Sequence, residues 1–361
     1  FFEKMLKDKA GNVVVLAGNN ARKTEYILKS VQAGYNVLAD KPMAITPKDF
    51  ELLKQAFDTA REKGVVLYDI MTERYEITTL LQRELSRFPD VYGEQEKGTP
   101  DDPAVTKESV HHFCKQVAGK PLQRPPWYYD TTQQGEAIVD VNTHLTDLIQ
   151  WETFPEVTLS PADINVVQAR TWNTPVTLEQ FTTSTSLTAW PDYLKKDLDA
   201  NGVLQCKANG EFTYSIKGVF AKASVLWNFQ APAGAGDTHF SLMRGTRASL
   251  IIQQGEAEGY KPVLYVEPRR APGVKKEELE AALKTAIATL NKTYPGIAYE
   301  AHETGWRINI PASYAVGHEA HFGQVMEKYL GYLQNGDMPA WEVPNMIVKY
   351  HTLMQAYSKS R

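Results

Sequence analysis

The 361-residue chain reads as two fold classes in series. A short α/β unit with a parallel sheet comes first. An α+β unit follows, built on a large, mainly antiparallel sheet covered by helices on one face. Three observations carry this. Residues 13 to 71 alternate continuous apolar runs with helical segments, the pattern of strands buried on both faces and joined by right-handed crossovers. From about 162 to 270, short strand-like runs follow one another. Two helical segments then close the chain, near His318 to Leu333 and Pro344 to Tyr357.

Phe1, Phe2, Met5 and Leu6 follow helical spacing, as if a helix were entered midway. Val13 to Ala17 is the first strand and Gly18-Asn19-Asn20 its turn. A helix from about Lys23 presents Ile27, Leu28 and Val31 on one face and stops at Gly34. Asn36 to Ala39 is the next strand, followed by Asp40-Lys41-Pro42. Thr46 caps a helix with Pro47 at its first position and Asp49 as the capping-box acid. Phe50, Leu53, Phe57 and Ala60 form its inner face, Gly64 ends it, and Val65 to Ile70 is the third strand. Glu73 to Phe88 is an amphipathic helix, 89 to 135 is rich in Pro, Gly and polar groups, and Glu136 to Trp151 has helical spacing again. The strands expected next are Ile164 to Ala169, Val203 to Lys207, Glu211 to Phe220, Ala223 to Phe229, Ala248 to Gln253 and Leu264 to Glu267. Ala231 to Asp237 reads as a hairpin tip. A helix at Lys275 to Leu290 precedes two last strands, near Ile297 to Ala301 and Trp306 to Ile310.

Composition excludes several classes. A net charge of -4 with no basic tract argues against nucleic acid. Apolar runs as short as Val13 to Ala17 span no membrane. Cys114 and Cys206 cannot build a disulfide framework and leave the compartment open between cytoplasm and periplasm. No metal is expected: Ser109 to Cys114 lacks a second cluster at zinc-site spacing, and His318 and His321 stand three apart rather than four.

Two motifs carry chemistry. Asp40-Lys41-Pro42 ends a parallel strand, where ligands of such sheets bind. Within Gly135 to Asp147, Asp140 and His144 are four residues apart, one turn on a helix. The carboxylate would orient the imidazole and support its charged form, as a general base requires. Taken alone, Lys41 fits a solvated lysine before a helix better than a catalytic one, and His144 fits a satisfied helix histidine better than a base. Trp127, Tyr128 and Tyr129 follow Pro125-Pro126 and suit either a sugar platform or core packing.

Together the motifs resemble the glucose-fructose oxidoreductase / inositol dehydrogenase / MocA family. Leu16 to Asn20 and Ala33 to Ala44 are similar to its "ATPN" and "GKHVLCEKP.A" stretches, and Arg74-Tyr75 falls at its "RF". Gln133 to Leu148 is similar to "GGGALLDIGIHALDL", and Gly245 to Leu250 to "GTKGSL". Here Asp40 replaces Glu, Lys23 a His, and Gln133-Gln134 two glycines. The resemblance implies an NAD- or NADP-dependent oxidoreductase acting on a sugar, polyol or related carbohydrate. It implies Lys41, Asp140 and His144 as the catalytic group, with Asp140 holding the imidazole. Gly18, Asn19, Asn20, Asp40, Lys41, Pro42 and Arg74 would contact the cofactor; Trp127, Tyr128 and Asp147 would contact substrate. An NAD-dependent glycoside hydrolase on the same scaffold and an inactive carbohydrate-binding protein are the alternatives. The expected organisation is a partial dinucleotide-binding Rossmann domain at 1–72 and a substrate domain at 73–343. A helix at 344–361 would pack back on the first. No Gly-x-Gly-x-x-Gly precedes the first strand, so an upstream segment carrying the phosphate-binding turn is expected. An apolar sheet face bearing Phe220, Leu226 and Trp227 implies a homo-oligomer.

Overall fold

The computed structural model describes residues 2–117, 120–271 and 273–361; Phe1, counted above in the first helix, lies outside them. The helix α1 (Phe2–Asp8) leads into β1 (Val13–Leu16), α2 (Lys23–Gln32), β2 (Asn36–Asp40), α3 (Pro47–Lys63) and β3 (Leu67–Ile70). The three strands pair in the order β1-β2-β3, all parallel. Thr46 and Asp49 cap α3 reciprocally, and Gly64 closes it at φ 64°. In such a sheet the carboxyl ends of the strands face one way. The turn after β1 and the Asp40-Lys41-Pro42 corner after β2 are therefore neighbours.

The expected helix at 73–88 divides. A 3-10 turn (Thr72–Tyr75) comes first, and α4 (Ile77–Ser86) starts where the Glu76 carboxylate accepts from the Thr78 and Thr79 amides. The short helix α5 (Pro89–Tyr92) follows. Next is β4 (Val105–Cys114), a strand the sequence reading missed. The pair β5 (Gln116–Val117) and β6 (Lys120–Pro121) and the single turn α6 (Thr131–Gln134) precede α7 (Asn142–Thr153). The helix expected from Glu136 thus begins six residues later, leaving Asp140 in the turn before it.

The remaining elements are β7 (Ile164–Val176), α8 (Leu178–Thr185), β8 (Leu204–Ile216), β9 (Val219–Gln230), β10 (Thr238–Arg244), β11 (Ala248–Gln254), β12 (Val263–Pro268), α9 (Lys276–Leu290), β13 (Ala298–His302), β14 (Gly305–Asn309), α10 (His318–Asn335) and α11 (Glu342–Lys359). Nine strands form one sheet in the order β13-β14-β12-β11-β10-β4-β9-β8-β7. Only β4 and β9 run parallel; every other pair is antiparallel. The strands expected at 203–207 and 211–220 are mostly one continuous strand. Gly210 does not break it: its bare backbone admits helix-proximal Ile138, whose Cδ1 would lie 3.1 Å from a Cβ there. The missed strand β10 also corrects the loop 231–237. Because β4 lies between β9 and β10, that loop crosses over β4 and is no hairpin tip.

Alternation along β9 separates the two faces. Val219, Ala221, Ala223, Val225 and Trp227 are buried under the helices, while Phe220 and Leu226 are part-exposed on the other face. Trp227 therefore belongs to the covered face, contrary to its expected place beside Phe220. Helix α11 ties the two units: the Met43 amide donates to the Tyr350 hydroxyl at 2.9 Å, and Lys349 meets Asp69 of β3 at 2.6 Å. Among the described residues no helix is long and apolar enough to cross a membrane.

Candidate active site

The corner after β2 is braced from three sides. The Lys41 amide donates to Asp40 Oδ1 at 2.9 Å, and Lys23 Nζ donates to the Asp40 carbonyl at 2.8 Å. Thr24 Oγ1 donates to the Met43 carbonyl. Lys23 is buried to make this bond, and burial presses its ammonium down to about 8. So braced, the Lys41 side chain reaches the turn before α7, where Nζ meets Asp140 Oδ1 at 2.8 Å. The carboxylate expected to hold His144 holds Lys41 instead. The cause is the late start of α7, which takes Asp140 off the helical face it was assigned to.

His144 enters from the first turn of α7. The helix is anchored by Asn142, whose Nδ2 donates to the Ala137 and Gly210 carbonyls, both at 3.1 Å. His144 Nδ1 is buried and has no partner in the protein. Lys41 and His144 line one cavity of about 720 Å³, within the range of small-molecule sites. Tyr128 and Trp227 form an aromatic wall with ring centroids 5.8 Å apart. Burial first, and the Lys41 charge second, push the His144 imidazole well below its ordinary range, so it is neutral near pH 7. Its expected charged form is thus disfavoured. Burial lowers Lys41, but Asp140 outweighs it and the net shift is upward. A neutral base and a persistent cation therefore face the same space.

The far side of the cavity was not foreseen. His111 and Lys115 come from β4 and the residue beyond it, and Asp237 from the crossover loop. Asp237 gathers His112 Nδ1 at 2.9 Å, Lys115 Nζ at 2.5 Å and His111 Nδ1 at 3.4 Å. His239 Nδ1 and Ser109 Oγ lie 2.9 Å apart. His318 and His321, at the start of α10, line the mouth with Glu73. Among the described residues no cluster of three or more His, Cys, Asp or Glu could hold a metal.

The cofactor-side candidates divide. After β1, Gly18 takes φ 94° with open space around it. Asn19 Nδ2 donates to Gln133 Oε1 at 2.8 Å, and Asn20 Nδ2 to the Gln134 carbonyl at 2.7 Å. Asn20 Oδ1 is buried without a partner. An unpaired acceptor in the turn after β1 could take a ligand's hydroxyl or amide donor, and Gly18, Asn19, Asn20, Asp40, Lys41 and Pro42 lie at the carboxyl ends of β1 and β2, where ligands of parallel sheets bind. Arg74 does not belong with them. It makes a two-toothed contact with Asp147, Nε–Oδ2 at 2.6 Å and Nη2–Oδ1 at 2.8 Å, and meets Glu342 at 3.1 Å. Lys349 bridges Asp147 at 2.9 Å and Asp69 at 2.6 Å. Asp147, expected at substrate, is sealed in this cluster, and Trp127 does not line the cavity.

Two family models match. Residues 2–69 match "Oxidoreductase family, NAD-binding Rossmann fold", and residues 81–361 match "Putative oxidoreductase C terminal domain". No curated protein matches. The chain is similar to the "Crystal structure of a putative oxidoreductase from Parabacteroides merdae ATCC 43184", at 52% identity and a TM-score of 0.96, covering 100% of this chain and 82% of that one. Two others share the fold. Levoglucosan dehydrogenase in complex with NADH and L-sorbose is 12% identical, with a TM-score of 0.60 over 100% of this chain and 82% of that one. The WlbA dehydrogenase from Bordetella pertussis, in complex with NADH and UDP-GlcNAcA, is 14% identical, with a TM-score of 0.55 over 99% and 80%.

Proposed function

This chain belongs to the Gfo/Idh/MocA oxidoreductase family and is an NAD(P)-dependent dehydrogenase, and from that premise we propose that it moves a hydride between nicotinamide and a hydroxyl-bearing carbon of a sugar, polyol or related carbohydrate. The observation that carries this reading is the meeting of Lys41 and His144 at one cavity with an aromatic wall. When bound, the nicotinamide supplies the hydride acceptor or donor. The protein's residues handle the proton and the charge. Neutral His144 accepts the hydroxyl proton as the C–H bond breaks. Lys41, kept cationic by Asp140, donates to the same oxygen and steadies its negative charge. Tyr128 packs against the sugar ring. Residues 1–72 serve as part of the dinucleotide-binding unit, 73–343 as the substrate unit, and the C-terminal helix clamps the two. The direct test is absorbance of reduced nicotinamide on mixing the protein with NAD or NADP and a panel of sugars and polyols. Turnover on none of them, with cofactor bound, would refute the reading.

The same reading includes self-association. Phe220 and Leu226 lie on the sheet face that the helices leave open, and Phe240, Leu242 and Ile251 share it by strand register. A face of this kind is covered in stable proteins. Light scattering at micromolar concentration is expected to show a homo-oligomer; a monomer would refute this part.

A further inference from the structure

Three histidines from three separate segments reach this cavity with a buried ring nitrogen that finds no protein partner: His111 on β4, His144 on α7 and His321 on α10. His321 is only 7% exposed. A buried polar atom without a partner is costly in a folded protein, and its usual remedy is water, an ion or a ligand. No metal cluster is available to these rings among the described residues, so hydroxyl groups are the fitting partners.

The charges around the same cavity point the same way. Its two ammonium groups are already engaged, Lys41 on Asp140 and Lys115 on Asp237. Glu73, Glu76 and Glu319 also line it, and none of them meets a lysine or arginine among the described residues. Among the described residues no arginine lines it. The nearby Arg124 lies against the Tyr128 and Trp227 rings at 4.4 and 5.2 Å, its Nε and Nη2 donating to the Phe113 and His112 carbonyls. Phosphate and carboxylate ligands are ordinarily met by forked guanidinium or free ammonium donors, and this lining offers neither.

We propose that the cavity selects an uncharged, polyhydroxylated sugar or cyclitol over phosphorylated, uronate and nucleotide-diphosphate sugars, and that His321 is one of the residues that binds its hydroxyls. The proposal rests on the carbohydrate reading above and narrows it. Burial supports the neutral state of this wall: it lowers His321 and takes His239 down to about 3. A neutral imidazole both accepts from and donates to hydroxyls, whereas an anion placed among Glu73, Glu319 and Asp237 meets like charge.

The test is binding, read by saturation-transfer NMR and calorimetry on the full chain. The panel is neutral hexoses, pentoses, cyclitols and methyl glycosides, set against glucose 6-phosphate, glucuronate and UDP-glucose. The expected result is a neutral ligand that binds about thirtyfold or more tighter than any anionic one, the scale of unfavourable like-charge contact. The double substitution Glu73→Gln with Glu319→Gln should narrow that gap by about tenfold, read as the ratio of neutral to anionic affinity in the variant against the parent. His321→Phe should weaken neutral binding by roughly three- to tenfold, one hydrogen bond's worth, and His321→Gln should recover part of it. Thermal melts confirm that each variant folds. Equal or tighter binding of the anionic sugars overturns the selectivity while leaving the carbohydrate reading standing. Binding of neither set overturns both. Unchanged affinity in folded His321→Phe removes His321 from the site.

Discussion

Helix α7 serves two buried polar regions with residues three apart, Asp147 and His144. Around Asp147, Arg74 and Lys349 meet the carboxylates of Asp69, Asp147 and Glu342 at 2.6 to 3.3 Å. Tyr68 adds a hydroxyl to Glu342 at 3.1 Å. Around His144, by contrast, ring nitrogens are left unpaired, and the carboxylates of Glu73, Glu76 and Glu319 on the lining meet no lysine or arginine among the described residues. In the first region each charged group finds a partner within the protein, and the contacts join β3, the 3-10 turn, α7 and α11 into one block. The second is open and meets space. Perturbed groups occur in both, so a displaced pKa alone does not mark the active site. What separates them is whether the protein itself satisfies the polar atoms.

That contrast can be broken experimentally. The largest expected effect is on the closed region. Lys349→Met strands Asp69 and leaves Asp147 with Arg74 alone, and removing one partner from a buried ionic group costs about 3–5 kcal/mol. Denaturant unfolding should show that loss, with turnover per folded molecule falling far less. A variant as stable as the parent would mean that the cluster is not the strut between the two units. Next is the open region. Lys41→Ala should reduce kcat about a hundredfold or more, equivalent to about 2.7 kcal/mol of barrier. Asp140 loses its partner in this variant, so some stability should be lost as well, and kcat is compared per folded molecule. Unaltered kcat would separate Lys41 from catalysis.

The parallel unit was legible because its strands read as unbroken apolar runs, although only β2 and β3 are largely buried and Val15 of β1 is 51% exposed. Thr46, Pro47 and Gly64 marked the ends of α3 by local chemistry alone. The strand β4 was not legible. It carries Lys107 fully buried on Glu152 at 2.7 Å, along with His111 and His112, and its mixed sequence hides a central strand. With β4 unread, β10 and the crossover loop could not be placed, and the Asp237 cluster stayed invisible. At the site, Lys41, Asp140 and His144 were found as a group, but the pairing within it was wrong. Spacing of four presumes a helix already formed at Asp140, and the first helical residue is Asn142. Arg74 and Asp147 were assigned to ligands because their true partners, Lys349 and Glu342, come some two hundred residues later. Nothing local announces such a pairing. The signal for His321 was present in the His-Glu-Ala-His start of α10, but only the fold brings it to the cavity.

The central claim is that His144, neutral and beside Lys41, is the proton acceptor of the reaction. Its lowered pKa gives the claim a sign. An imidazole held below its ordinary range stays unprotonated as pH falls through about 6.5, so the acid limb of kcat/KM for alcohol oxidation should lie below that value. Stability changes in the same direction: the unfolded chain binds the proton first, so this group's contribution is lost as pH falls below about 6.5. The decisive measurement is kcat/KM against pH for the parent and His144→Ala, with thermal unfolding of both at neutral pH. The predicted result is a loss of about a hundredfold or more in the variant, disappearance of the acid limb, and an unfolding midpoint near the parent's. A folded variant with the parent's kcat/KM and the parent's acid limb would contradict the account.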